Sequence, residues 1–310
     1  INSLIVRVRD RQELFDGACR IAVDQGGFGI AWIGELNPQT REITPAACAG
    51  ADAESFLARS PNTARADTSP GQGVVGRAIG ERRAAFSDDV ATAPRVGGER
   101  RKEATRRGYR SSISLPLLME GAAVGNFSLF AKEANFFTAD EVKLLTELAG
   151  DISFALEHIS KQEKLDKLSR IRAVSSEINA AIVRIRERET LLRETCRIAA
   201  EHGKFEMVWV ASLDPEKQEA RLVAWVGFSP DAARSVSWAT INAAWRTLAE
   251  AIQTRRTAVD NEIDAGLQGG VLRQEAISKG CLSTVCMPLM ADDKVVAVCA
   301  LFAPGQGFFD

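Results

Sequence analysis

The chain has 310 residues, enough for two domains of ordinary size, each able to bury its own core. Its 39 basic and 41 acidic residues leave a formal net charge of −2, which excludes the basic footprint of a nucleic-acid binder. No apolar run reaches the roughly 20 residues of a membrane span, no charged-then-apolar leader opens the chain, and six scattered cysteines read as reduced thiols of a cytoplasmic protein.

In chain order, a helix is predicted from Ile1 to Asp24, with Leu4, Val8, Leu14, Ala18 and Ala22 at helical spacing and Gly26-Gly27 ending it. Phe28–Leu36 and Arg41–Ala49 read as a hairpin around the turn Asn37-Pro38-Gln39-Thr40. Short helices follow over Ala51–Arg59 and Gly73–Arg82. Ala84-Ala85-Phe86 is a short strand, and Glu99–Arg107 is a charged helix closed by Gly108. Tyr109–Leu118 and Ala122–Ala131 form a second hairpin. Thr138 with Glu141 three residues on is a capping box that opens the last helix. The order predicts an α+β domain: an antiparallel sheet with helices on both faces.

The pattern then repeats. Ile1-Asn2 aligns with Ile178-Asn179, Cys19-Arg20-Ile21-Ala22 with Cys196-Arg197-Ile198-Ala199, and Trp32 with Trp209, all at an offset of 177 residues. The offset falls to 172 by Pro116 and Pro288, as loop deletions allow. The period is a whole domain: 1–160 and 178–310, with 161–177 a helical linker. Copy one begins at the equivalent of mid-helix, and copy two stops before its last helix. That points to a fragment whose output domain lies past residue 310.

From about 138 to 201 there is no proline and only Gly150, so one continuous helix of roughly 95 Å is expected at 1.5 Å per residue. Leu168, Ile171, Ile178, Ile182 and Ile185 fall on a 3-4 seam. A parallel homodimer is the simplest way to bury it.

Several stretches carry a resemblance. Gly71-Gln72-Gly73-Val74-Val75-Gly76, Ser114-Leu115-Pro116-Leu117, Ala122 to Leu129 and Phe136-Phe137-Thr138-Ala139-Asp140-Glu141 together resemble GAF domains. The opening stretch through Trp32-Ile33-Gly34 looks like GAF modules that precede cyclic-di-GMP cyclase and phosphodiesterase domains. The resemblance implies a sensor that regulates an output domain. Cyclic-nucleotide-binding members carry an Asn-Lys pair before Phe-x-x-x-Asp-Glu. Here Lys132, Phe136, Asp140 and Glu141 match, Ala131 replaces the asparagine, and Pro304 replaces the lysine in copy two. Bilin binding implies a Cys-His pair. The chain has only His158 and His202, both in helical stretches.

Candidate ligand-pocket residues follow from strand alternation. Ser112, Ser114, Asn126 and Ser128 make one polar sheet face in copy one. Copy two has Thr284, Cys286, Val298 and Ala300 there. Trp32 and Trp209 hold equivalent strand positions, and Asp88 ends a short strand beside Asp89. Trp225, Trp238 and Trp245 occur only in copy two and are expected to fill volume there. Cys281 and Cys286, five apart, should lie on opposite strand faces and share no metal. Gly71, Gly73 and Gly76 fit a dinucleotide spacing but enter a helix without a preceding strand, so they read as a tight turn. No cofactor is indicated. The expected partners are a second copy of the chain, a small molecule and the output domain, with no nucleic acid and no membrane. A ligand-free dimerisation scaffold and a small-molecule enzyme such as a methionine sulfoxide reductase are the alternatives.

Overall fold

The computed structural model describes residues 8–58, 62–68, 70–92, 98–214, 219–234, 237, 246–263 and 271–309. The chain divides into two compact units, Ile1–Lys164 and Leu165–Asp310.

Among the described residues the first unit opens with α1 (Arg11–Asp24), and residues 8–10 of the predicted Ile1–Asp24 helix are not helical. Asp10 caps it, its side chain accepting the Glu13 amide. Residues 1–7 lie outside the described set. Next come β1 (Ile30–Leu36), β2 (Glu42–Gly50), α2 (Ala53–Ala58) and the two-residue β3 (Asn62–Thr63). A 3₁₀ turn, Pro70–Gln72, leads into α3 (Val74–Glu81), followed by β4 (Ala85–Ser87), α4 (Gly98–Arg106), β5 (Ser111–Met119) and β6 (Ala122–Ala131). The strands form one antiparallel sheet in the order β3-β2-β1-β6-β5-β4.

Strand alternation sends side chains to two separate cores. One face carries Ala31, Ile33, Ile113, Leu115, Leu117, Phe127 and Leu129. They pack on Leu14, Phe15, Ala18 and Cys19 of α1 and on Ile152, Ala155, Leu156 and Ile159 of the long helix α5 (Ala139–Arg184). The other face carries Ile30, Trp32 and Phe130 beneath Phe56 and Leu57 of α2, Ile79 of α3 and Ala104 of α4.

The capping box at the start of α5 forms as the sequence implies. The Glu141 carboxylate accepts the Thr138 amide at 2.8 Å, and Thr138 Oγ1 accepts the Glu141 amide at 3.4 Å. Thr138→Ala should lower the first domain's stability by about 1 kcal/mol, read from urea unfolding followed by circular dichroism.

The expected continuous helix to residue 201 does not form. α5 ends at Arg184 and α6 runs Arg188–Gly203. At the break, the Glu187 carboxylate accepts the amides of Glu189 and Thr190, ending one helix by capping the next. Glu187 is the repeat equivalent of Asp10, so both copies start this helix with a side-chain cap. Ile185, assigned to the dimer seam, therefore lies past the end of α5.

The second unit continues with β7 (Met207–Asp214), β8 (Glu219–Val226), α7 (Pro230–Arg234), α8 (Arg246–Thr254), β9 (Ala258–Asp260), α9 (Val271–Ser278), β10 (Cys281–Ala291) and β11 (Lys294–Pro304). Its antiparallel sheet has the order β8-β7-β11-β10-β9 and again separates two cores. α6 covers one face through Cys196 and Ala199, while α8 and α9 cover the other through Leu248, Ala251 and Ala276.

Candidate functional site

The polar residues singled out on the second hairpin of the first unit meet on the face that α2, α3 and α4 cover. Register places Trp32 opposite Ser128 and Ser128 opposite Ser114, with Cys48 and Ala85 at the two ends of the row. The next row holds Gly34, Asn126 and Pro116. Trp32, Ser114 and Asn126 are fully buried, and Ser128 nearly so. A short chain of hydrogen bonds links them: Asn126 Nδ2 donates to Ser128 Oγ at 2.9 Å, and Ser128 Oγ donates to Ser114 Oγ at 2.9 Å. Among the described residues, Asn126 Oδ1 and Trp32 Nε1 find no hydrogen-bond partner. Most buried polar atoms do find one, so two such atoms together mark this face.

Gly34 makes the arrangement possible. A Cβ there would stand 2.6 Å from Trp32 Cζ3 and 2.8 Å from Asn126 Oδ1. Bare backbone lets the indole and the amide lie side by side.

Arginines fasten the cover. Arg100 donates to the Phe56 and Leu57 carbonyls, and Arg107 donates to the Asp52 carbonyl and Ser55 Oγ. These groups belong to α2 or the residue before it. Carbonyls at a helix C-terminus lack intrahelical partners, so guanidinium groups complete them. Glu103 takes Arg106 and Arg107 at 2.7 Å each. Burial, with Arg107 nearby, pushes the Arg100 guanidinium down to about 10, so it stays charged at neutral pH.

Ser112 is buried one pair along, opposite Phe130 and Ser87. Asp88 does not join the site. It is exposed, and its carbonyl accepts the Asn135 amide at 2.7 Å. Its neighbour Asp89 makes the ion pair, with Arg110. Those hydrogen bonds hold the Asp89 carboxylate at about 2.

The equivalent face of the second unit is apolar. Trp209 pairs with Ala300 and Ala300 with Cys286, and Val298 stands where the first unit has Asn126. Thr284 is fully buried and satisfied by the Leu301 carbonyl at 3.1 Å. Burial pushes the Cys286 thiol up to about 12. Trp209 Nε1 has no partner among the described residues. Trp225 does not fill this core: it lies on edge strand β8 and is 42% exposed. Trp238 and Trp245 lie outside the described residues. Cys281 and Cys286 share one core rather than opposite faces, because a bulge between Cys281 and Ser283 shifts the alternation by one residue. No group of His, Cys, Asp and Glu among the described residues could hold a metal.

One sheet, one helical backing face and one covered face thus occur twice along the chain. The model of the GAF domain fits residues 8–157 and 186–310. The chain belongs to the GAF domain family. No curated protein matches it. Among solved structures, a bacteriophytochrome from R. palustris is similar over 98% of this chain and 61% of its own, at 11% identity and a TM-score of 0.52. The free methionine-R-sulfoxide reductase of Neisseria meningitidis is similar over 52% of this chain and 86% of its own, at 19% identity and a TM-score of 0.43. The GAF region of a putative membrane protein from Geobacter sulfurreducens covers 50% of this chain and 98% of its own, at 18% identity and a TM-score of 0.41.

Within this GAF chain, the partial cyclic-nucleotide motif has structural work. Phe136 and Phe137 pack on Phe28 at 5.5 and 6.2 Å between ring centroids, and Glu141 closes the capping box. Lys132 is exposed. His158 and His202 are exposed on helices. Gly71 lies in the 3₁₀ turn, Gly73 and Gly76 follow it into α3, and among the described residues no strand runs directly into them, so the dinucleotide spacing has no βαβ unit behind it. The register of the polar row was legible in the sequence. The unpaired atoms and the arginine fastening were not, because both depend on which helix lands on the face.

Proposed function

We propose that this chain is a tandem sensory module in which the first GAF domain binds a small molecule and the second does not. The carrying observation is the contrast between equivalent faces. One holds Asn126, Ser128 and Ser114 with Asn126 Oδ1 unpaired, and the other holds Val298, Ala300 and Cys286. A buried polar group left unpaired destabilises the ligand-free fold, so its retention speaks for a ligand that pairs it.

The signal passes through a helix that self-associates as a parallel dimer and sets the state of an output domain, of the cyclic-di-GMP turnover class. Support comes from large apolar side chains left in solvent on α5. Leu168 is 63% exposed, and Ile171 and Ile182 are each 52% exposed. Ile178 and Ile185 are half-buried. Exposure on this scale along one helix is unusual for a monomer. The ligand must favour one helix arrangement over the other, because equal affinity for both shifts nothing.

Thiol catalysis gets no support from the cysteines. All six are free. Burial pushes Cys196 up to about 12 and Cys281 up to about 11, and raises the half-buried Cys48, with Glu54 and Asp16 adding to the effect. A thiol raised in this way stays protonated at neutral pH and is a poor nucleophile. No helix among the described residues is long and apolar enough to cross a membrane.

Native mass spectrometry tests the reading. A dimer is expected, and the double variant Leu168→Glu, Ile171→Glu should run as a monomer while keeping its circular dichroism. A wild type that stays monomeric at micromolar concentration overturns the dimeric mechanism.

A further inference from the structure

The first domain keeps a polar feature that the second lacks. Asn126 Oδ1 and Trp32 Nε1 belong to residues that are 0% exposed, and neither atom has a partner among the described residues. Reversing the amide of Asn126 does not remove the mismatch. Ser128 and Ser114 hydroxyls donate or accept equally well, so reversal only moves the unpaired group from the carbonyl to the amino end. The Asn126 amide thus keeps Oδ1 and one N–H beyond the one given to Ser128, so a group that satisfies it offers a donor and an acceptor side by side.

The surroundings restrict the ligand further. The two rows of the sheet face hold Cys48, Trp32, Ser128, Ser114 and Ala85, then Gly34, Asn126 and Pro116. None is ionised at neutral pH, since burial also raises the Cys48 thiol. Among the cationic side chains of the cover, Arg100 and Arg107 donate to the carbonyls of Asp52, Phe56 and Leu57, to Ser55 and to Glu103. A buried anion would find no counter-charge on this floor, and a buried cation no carboxylate. A Cβ on Gly34 would meet the fully buried Trp32 ring at Cζ3, the end of the indole away from Nε1.

We propose that this face selects an uncharged planar molecule with an amide edge, a C=O beside an N–H, as in a carboxamide, a lactam or a pyrimidinone. The C=O accepts from the Asn126 amino group, and the N–H donates to Asn126 Oδ1. Admission requires α2 and α4 to lift from the sheet. Asn126 carries the selectivity, because Trp209 in the second domain has an equally unpaired N–H but Val298 in place of the amide. The assignment rests on the sensor reading of the first domain.

The test is a thermal-unfolding series on the whole chain with four probes: nicotinamide, uracil, inorganic phosphate and cyclic AMP. The two amides should raise the Tm and the two anions should not. Asn126→Leu should leave the unliganded Tm equal or higher, since it removes the unpaired group and leaves the Ser128–Ser114 bond intact. It should also weaken the response to the amides by about tenfold. Circular dichroism checks that it folds. If it does not, Asn126→Ser, which keeps a hydroxyl beside Ser128, takes its place with the same expectation. Stabilisation by phosphate or cyclic AMP but not by the amides overturns this ligand class and leaves the sensor reading standing. An undiminished amide response in the variant overturns the role of Asn126. No response to any probe counts against both.

Discussion

Gly76→Ala will destabilise the first GAF domain by about 3 kcal/mol, while Gly80→Ala, one turn further along the same helix, will stabilise it by about 0.5–1 kcal/mol. Helix propensity alone predicts a gain at both positions, since alanine loses less backbone entropy than glycine. Space decides otherwise at the first. A Cβ on Gly76 would lie 1.8 Å from the Gly71 carbonyl oxygen and 2.5 Å from its carbon, and both are backbone atoms. Gly71 is itself pressed against Arg65, with a Cβ 1.8 Å from the Arg65 oxygen. The segment before α3, the 3₁₀ turn and α3 are thus stacked backbone on backbone. Alanine at 76 must push α3 away, and α3 carries the buried Ile79 onto the Trp32 face of the sheet. At Gly80 a Cβ meets nothing within 4 Å. Urea titrations of both variants, followed by circular dichroism, measure the two signs. Shifts in the same direction would show that α3 adjusts freely and that the stacking is not a constraint.

The glycine run illustrates what a sequence can and cannot state. Its spacing marked Gly71 and Gly76 as special and placed a turn before a helix, and Gly71 lies in that turn while Gly76 lies in the helix. The backbone that each glycine approaches is set by tertiary stacking, and nothing local encodes it. The hairpins and the Ser114–Ser128–Asn126 face were legible because a period of two survives any packing arrangement. Bulges break that period silently. The shift at Cys281 and Ser283 brought Cys281 and Cys286 to one core although five residues normally separate faces. The break after Arg184 escaped notice because glutamate is an uncommon cap and no glycine or proline marks the site. The repeat held the missing clue, since Glu187 aligns with Asp10, a capping residue of the ordinary kind. Burial of Asn126 was readable only as polarity. That its carbonyl goes unpaired depends on where Gly34 and Trp32 sit across the strand.

Phe56→Ala will open the cover of the Trp32 face and cost about 3–5 kcal/mol, more than any other single truncation in α2. Phe56 is fully buried, and four partners converge on its ring. Phe130 from the sheet stands edge-on at 5.1 Å and Tyr109 at 6.4 Å. The Arg100 and Arg107 guanidinium groups lie over the ring, 4.8 and 5.5 Å from its centroid. The same arginines donate to α2 and the residue preceding it, so the ring and the carbonyls hold α4 together. Removing the ring leaves a void and strips two partly buried cations of their π face. Phe56→Leu separates these contributions: it restores most of the volume and forfeits only the cation–π and edge contacts, at about 1–2 kcal/mol. Hydrogen exchange read by mass spectrometry distinguishes a lid from a core. Amides of α2 and α4 should exchange faster in Phe56→Ala, while those of α1 and of α5 up to Ile159, which pack on the opposite face through Leu14, Ile152 and Leu156, should keep their protection. Equal loss on both faces would mean that the domain opens only as a whole, and a ligand would then have no separate route to Asn126. Selective loss over α2 and α4 makes the arginine-fastened cover the moving part. The energy that fastens it then sets how readily the face holding Trp32 and Asn126 is uncovered.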